Sequence, residues 1–294
     1  MVGDLHIHTR YSDGSYLVGE ALAEAALRGL DYISFVDHDT VDQSEAAFAE
    51  LKGMKATGCQ GLPGLVSGVE ISAYDAERHR KVHILGYGYD EKAAAIRQLC
   101  DPIIRRRHEN TLRQIKILAN EGYPVSEEEV RKIAAGKDGS GRWLYKQHIM
   151  LVLLAAGRAD EIYGITYQWL FKGDGPCAGD IDYVDARLAV EAVRADGGLP
   201  VLAHPGQTDS WDFIPALVDA GLAGIELYHE DHDKDSFRRS RQAAADFGLF
   251  LSGGSDDHGD WGSNHRMGDI RAPFGTLQEM RHRGASRLPG PIYN

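Results

Sequence analysis

The feature that most restricts how this chain can fold is a short apolar run that ends in a histidine or carboxylate and then turns, and it recurs seven times. The runs are DLHIH (His6, His8), FVDHDT (Asp37, His38), GVEIS (Glu70), KVHILGY (His83), LAHPG (His204), ELYHEDH (His229) and GSDDHG (Asp256, His258); Asp13 lies in the turn after the first. In a strand, residues two apart share a face, so His6 and His8 point together while Leu5 and Ile7 pack behind them. A lone histidine of this kind is an ordinary core residue. Seven strand ends with one chemistry call for a fold that gathers strand ends. Helical patterns separate the runs, as in YLVGEALAEAALRGL, which stops at Gly29 before DYISFVDH. This alternation is that of a barrel or doubly wound sheet; in parallel barrels the C-terminal strand ends converge on the site.

From about residue 96 to 175 the strand pattern stops. AIRQLCDPIIRRRHENTLRQIKILANEG is long, charged and helical, and SEEEVRKIAA opens on a capping-type serine with glutamate following. This region reads as a helical insert, 96–175, placed over the mouth of a barrel formed by 1–95 and 176–294. The run Arg105–Arg107 reads as a solvated helix face from which one member can reach the mouth.

At 294 residues and 43% hydrophobic composition the chain can build a large core. A formal net charge of −12 argues against coating a nucleic-acid polymer. Cys59, Cys100 and Cys177 form no CxxC pair, which fits a reducing cytoplasm. No apolar run reaches membrane-spanning length, and the first run begins too early for a removable leader. No obligatory protein partner is indicated.

The candidate ligands are imidazoles and carboxylates without thiolates, a set that suits Zn, Mn or Fe. They are too numerous for one ion. Two or three ions sharing a bridging carboxylate would use them all, activate a bridging water and neutralise a phosphoryl group in flight.

DLHIHTRYSDG, FVDHDT, GVEIS, LAHPG and GSDDHG, in this order and spacing, resemble the polymerase and histidinol phosphatase (PHP) family of metal-dependent phosphoesterases, specifically stand-alone members with a helical insert. The resemblance implies an α/β fold, a distorted seven-stranded (β/α)7 barrel. It also implies one ion held by His6, His8, Glu70 and Asp256, a second by Glu70, His83 and His204, and a third by Asp13, His38 and His258, with Glu70 as the bridge. Asp257 stands where many relatives have an aromatic residue.

The expected reaction is attack of a metal-bridging hydroxide on a small phosphorylated metabolite. A ribose- or nucleotide-type phosphomonoester or cyclic phosphodiester is favoured, phosphoribosyl 1,2-cyclic phosphate or a nucleoside 3′,5′-bisphosphate among them. Histidinol phosphate is the alternative substrate; an amidohydrolase or a non-catalytic metal-binding domain are alternatives of another class. Arg142 and Lys146, in SGRWLYKQHI, are the candidate phosphate contacts, Arg142 as a bidentate clamp. His229 and His232 are candidates for the proton donor or a further phosphate contact. His79, His108, His265 and His282 lack strand-end context and read as structural or exposed.

Overall fold

The computed structural model describes residues 1–262 and 265–290. The chain starts with β1 (Gly3–Ile7), α1 (Val18–Leu27), β2 (Tyr32–Phe35), α2 (Asp42–Ala56), β3 (Gly64–Asp75) and β4 (Arg80–Tyr87). Four helices follow: α3 (Ala94–Asn120), α4 (Glu127–Ala135), α5 (Lys146–Ala155) and α6 (Ile165–Phe171). The remainder is β5 (Val184–Asp185), α7 (Ala186–Ala195), β6 (Leu199–Leu202), α8 (Pro205–Thr208), α9 (Ile214–Ala220), β7 (Gly224–Tyr228), α10 (Lys234–Phe247), β8 (Phe250–Gly253) and α11 (Thr276–His282).

Seven strands follow one another in the order β1-β2-β3-β4-β6-β7-β8, with the two-residue β5 attached to β3. The circle closes just beyond the last strand, where Ile7 bridges Asp257 and the His8 amide donates to the Asp257 carbonyl at 2.9 Å. Leu5, Tyr32, Val66, Leu85, Val201 and Phe250, from six of these strands, fill one core cluster. This is the distorted seven-stranded barrel expected from the recurring apolar runs.

One strand departs from the parallel pattern. β4 is antiparallel to both β3 and β6, because only the short turn after Asp75 separates it from β3. His83 therefore lies near the start of its strand, not at its end; the reversed direction brings it to the rim where the other strands finish. β3 likewise runs on past that rim. β2 pairs it only as far as Ser67, and from Gly68 onward it is bonded to β4, so Glu70 sits mid-strand but level with His38, with which it forms a bridge.

No strand lies between Tyr87 and Val184 among the described residues. Ser126 and Glu129 close a reciprocal capping box at the start of α4, satisfying two amides that the helix cannot pair internally. The expected boundary at residue 95 falls at the head of α3, a helix that serves two cores. Its first half buries Ile96, Cys100 and Ile103 with Val190 and Val193 of α7. Its second half buries Ile115 and Leu118 with Val130, Ile149, Leu153 and Leu170 of α4, α5 and α6. Trp261, from the turn after His258, enters this second core, with the Arg10 guanidinium 4.6 Å over its ring. Arg10 also donates to the Ile133 carbonyl at 2.9 Å. The helical segment is thus held over the rim at three places, and each fully buried aliphatic side chain contributes roughly 1.5–3 kcal/mol of transfer free energy.

Candidate metal centre and active site

Glu70 is the centre of the rim. Its Oε1 lies 2.7 Å from His83 Nδ1 and 2.9 Å from His204 Nε2. Its Oε2 lies 3.4, 3.3 and 3.2 Å from His6 Nε2, His8 Nε2 and His38 Nδ1. Asp256 Oδ1 completes a cage with His6 and His8, at 3.2 and 3.1 Å from their Nε2 atoms. A second cage joins His8, Asp13, His38 and His258, and a third brings His38 to Glu70 and His83. The structure therefore gathers all nine expected ligands at one rim. His38 stands between two sets, its Nε2 3.9 Å from Asp13 Oδ2 and its Nδ1 toward Glu70.

These residues fit divalent ions on two observations. Two carboxylate oxygens cannot accept hydrogen bonds from five converging imidazole nitrogens, since they offer about four lone-pair positions in all. Moreover, both nitrogens of His8, with Asp13 Oδ1, His38 Nδ1, His204 Nδ1 and Asp256 Oδ1, are buried without a hydrogen-bond partner. Edges of 3.1–3.4 Å in the His6–His8–Glu70–Asp256 cage are also those of a polyhedron with metal–ligand bonds of ~2.1 Å.

The electrostatics agree. Burial pulls the His8 imidazole down, but Asp256 and Glu70 outweigh it and hold the group at about 10. Burial likewise opposes ionisation of Glu70, yet His38, His83 and His6 keep it well below the usual carboxylate range. His38 is pushed down to about 3 by burial, against the pull of Glu70 and Asp13. The site thus concentrates buried negative charge that demands cations. His204 and Asp256 hold positive φ angles of 22° and 54°, backbone strain located at ligand positions.

Neighbouring carboxylates orient this set without facing it. Glu226, mid-strand in β7, accepts from His6 Nδ1 at 3.0 Å and from the His204 amide at 2.7 Å. This leaves the His6 Nε2 lone pair toward the cage. Asp37 accepts from Thr9 and Ser12 and shapes the turn that carries Asp13. Asp257 accepts from the Tyr16 hydroxyl and the Met267 and Gly259 amides, so it braces loops away from the cage. Glu226 was legible in principle, as a lone carboxylate inside the apolar run LAGIELY.

The histidines expected to handle protons have other partners. His229 accepts the Asp231 amide on Nδ1, which puts its hydrogen on Nε2, 3.3 Å from Asp256 Oδ2; it orients a ligand. His232 uses Nδ1–H on the Leu227 carbonyl at 2.9 Å and accepts the Gly206 amide on Nε2 at 3.2 Å. With both nitrogens engaged it braces the chain behind the rim, and the rim cavity does not include it.

That cavity has two lobes, of about 370 and 420 Å³, which share Asp13, His38, His83, Gln147, Tyr163 and Gln207. The first lies over Glu70, His204 and Asp256; the second runs under the helical segment to Lys81, Arg107, Lys146 and Asp180. Lys146 is where a phosphate contact was expected. Arg142 is not: it lines neither lobe, is exposed, and pairs with Asp42 because α5 begins only at Lys146, leaving Arg142 on the outer connection. Arg107 of the RRR run turns inward instead, donating to Asp39 at 2.9 Å and Ser72 at 2.8 Å. Gln147 donates to Asp13 Oδ2 at 2.9 Å, and the Tyr145 hydroxyl to the His38 carbonyl at 2.9 Å. Arg107 is the member of the RRR run that reaches the mouth, whereas no spacing in the sequence marked Gln147 and Tyr145, which reach the rim through the packing at the start of α5.

The PHP domain model matches residues 4–183. The chain belongs to the PHP family. It is 44% identical over 275 residues to a phosphoribosyl 1,2-cyclic phosphate 1,2-diphosphodiesterase of Eggerthella lenta, covering 93% of this chain and 100% of that one. It is 30% identical to a 3′,5′-nucleoside bisphosphate phosphatase of Chromobacterium violaceum, covering 87% and 86% of the two chains. A crystal structure from Bifidobacterium adolescentis, assigned as a metal-dependent phosphoesterase, superposes with a TM-score of 0.83 at 25% identity over 96% of both chains. As a PHP member this chain is a metal-dependent hydrolase of phosphoric esters, and no described helix is long and apolar enough to cross a membrane.

Proposed function

We propose that this PHP enzyme hydrolyses a small ribosyl phosphate ester, with phosphoribosyl 1,2-cyclic phosphate as the first substrate to test. The observation that carries the reading is the joining of a lobe over the Glu70 cluster to a cationic lobe lined by Lys81 and Lys146. The relative with 44% identity over 93% of this chain supports the substrate class. A net charge of −12 supports a small ester over a polymer, with Lys81, Arg107, Lys146 and Lys172 lining the cavity. Three free cysteines fit a cytoplasmic setting.

His6, His8, Glu70 and Asp256 would hold one ion, Glu70 with His83 and His204 a second, and His8, Asp13, His38 and His258 a third. Bound there, two to three Mn, Zn or Fe ions supply Lewis acidity toward the phosphoryl oxygens and an ionised water at neutral pH. The chain's own contribution is order. Glu226 and His229 fix the tautomers and tilt of the inner set, Gln147 and Tyr145 tie the helical segment to Asp13 and His38, and the segment roofs the cavity against bulk water.

The test is hydrolysis of phosphoribosyl 1,2-cyclic phosphate, adenosine 3′,5′-bisphosphate, histidinol phosphate and an N-acyl amino acid, with Mn²⁺ supplied. Release of phosphate or ring opening fastest on the cyclic ester is expected. Preference for the bisphosphate would move the assignment to a nucleotide phosphatase. Turnover of the N-acyl amino acid alone would overturn it.

A further inference from the structure

We propose that the distal lobe of the cavity is a dedicated anion subsite, built by Lys81 and Lys146 around Asp180, that takes a second phosphate group of the substrate remote from the ester being cleaved. The proposal rests on the phosphoesterase reading above and adds which residues choose among phosphate esters.

Lys81 and His83 lie two apart on β4 and so share one face. His83 meets Glu70 at the metal-binding end, and Lys81 lines the other lobe, a step of ~6.7 Å along the strand. That is the length scale of a pentose ring with its exocyclic carbon. Lys146 enters the same lobe from the first turn of α5, and its Nζ is 3.7 Å from Asp180 Oδ2; Lys81 bonds the same carboxylate.

One carboxylate thus fixes two ammonium groups. Lys81 retains N–H donors beyond the one it gives Asp180, and Lys146, held at ion-pair distance, gives Asp180 none of its three. Lys172 also lines the lobe, so its three lysines outnumber the two acids there, Asp13 and Asp180, while Arg107 is already paired with Asp39. Burial, with Lys81, Arg107 and Lys172 adding to it, lowers the Lys146 pKa against the pull of Asp180. A phosphate dianion would bring this group of lysines further negative charge. Asp180 acts as the preorganising group that keeps both side chains extended into the lobe when it is open.

The experiment compares phosphoribosyl 1,2-cyclic phosphate with ribose 1,2-cyclic phosphate, which lacks the distal group, in the metal-loaded full chain and in Lys81→Met and Lys146→Met. Wild type should prefer the phosphorylated substrate, and each variant should lower that preference in kcat/KM by about 10–100-fold, the size of a lost charged hydrogen bond. Equal losses on both substrates, or no preference in wild type, would overturn the subsite. Calorimetric binding of ribose 5-phosphate separates this from failure of the phosphoesterase reading. If neither ester is hydrolysed but ribose 5-phosphate binds and the variants weaken it, the subsite stands alone. Binding that is absent, or unchanged in both variants, rejects it.

Discussion

His6 Nδ1 lies 3.0 Å from Glu226 Oε1, and the same carboxylate takes the His204 amide on its other oxygen at 2.7 Å. One buried acid in β7 therefore sets the tautomer of a ligand on β1 and the position of a ligand after β6. Glu226→Gln keeps the shape but offers a single acceptor to two donors, leaving one of them unpaired at a cost of about 1–3 kcal/mol. Metal affinity should fall about 10–100-fold, as is usual when a carboxylate behind a histidine ligand is lost. Metal titration followed by elemental analysis checks this; unchanged affinity would show that Glu226 only fills space.

Glu70 faces five imidazoles, whereas Asp13 faces three at 3.6–3.9 Å. Glu70→Gln should therefore remove more bound metal and more activity than Asp13→Asn, which alters the third set only. Metal content and kcat measured on both purified variants decide it, and equal retention of metal would remove Glu70 from the bridging position.

Much of this site could be read before any coordinates, and the reason is geometric. A strand presents its ligands at a fixed period of two, so His6 and His8 announce a shared face within three residues of sequence, whereas Asp256 and His258 lie in the turn beyond β8. Lys81 carries the same period relative to His83 but is one lysine on a charged turn, indistinguishable from a solvated one. Arg107 and Gln147 belong to helices, and Tyr145 to the cap of one, whose orientation over the rim depends on packing of Ile115, Ile149 and Trp261, contacts between residues more than thirty apart. Strand direction was also hidden. Nothing in KVHILGY states that it runs against its neighbours; only the length of the turn after Asp75 does.

Arg142 gives a contrasting expectation. It is exposed, bonded to Asp42, and lines neither lobe. Exposed ion pairs contribute about 0–1 kcal/mol. Arg142→Ala should shift stability by no more than about 0.5 kcal/mol and kcat/KM by less than about twofold. A tenfold or larger rise in KM for a phosphorylated substrate would mean that the connection before α5 folds inward when substrate binds.

His148 provides a pH test of the helical segment that does not involve the ligands. In the first turn of α5 it is buried, accepts the Tyr145 amide on Nδ1 at 3.1 Å, and presents its ring edge-on to Trp261 at 5.2 Å between centroids. Burial, with Arg10 adding to it against Asp13, lowers its pKa to about 4. The unfolded chain binds a proton at this side chain near pH 6.5, and the folded chain does so only near pH 4. Between those values the unfolded state holds more protons, so stability is full above about pH 6.5 and falls as the pH drops toward 4. The loss from this one residue should reach about 2 kcal/mol by pH 5. His148→Gln keeps an oxygen for the Tyr145 amide but has no proton to gain. The variant should be somewhat less stable than wild type at pH 7.5, where the ring contact is missed, and the difference should close or reverse by pH 5. Urea unfolding of both proteins at the two pH values measures it, with carboxylate titrations common to both cancelling. Parallel losses in wild type and variant would show that His148 takes up its proton as readily in the folded chain as in the unfolded one.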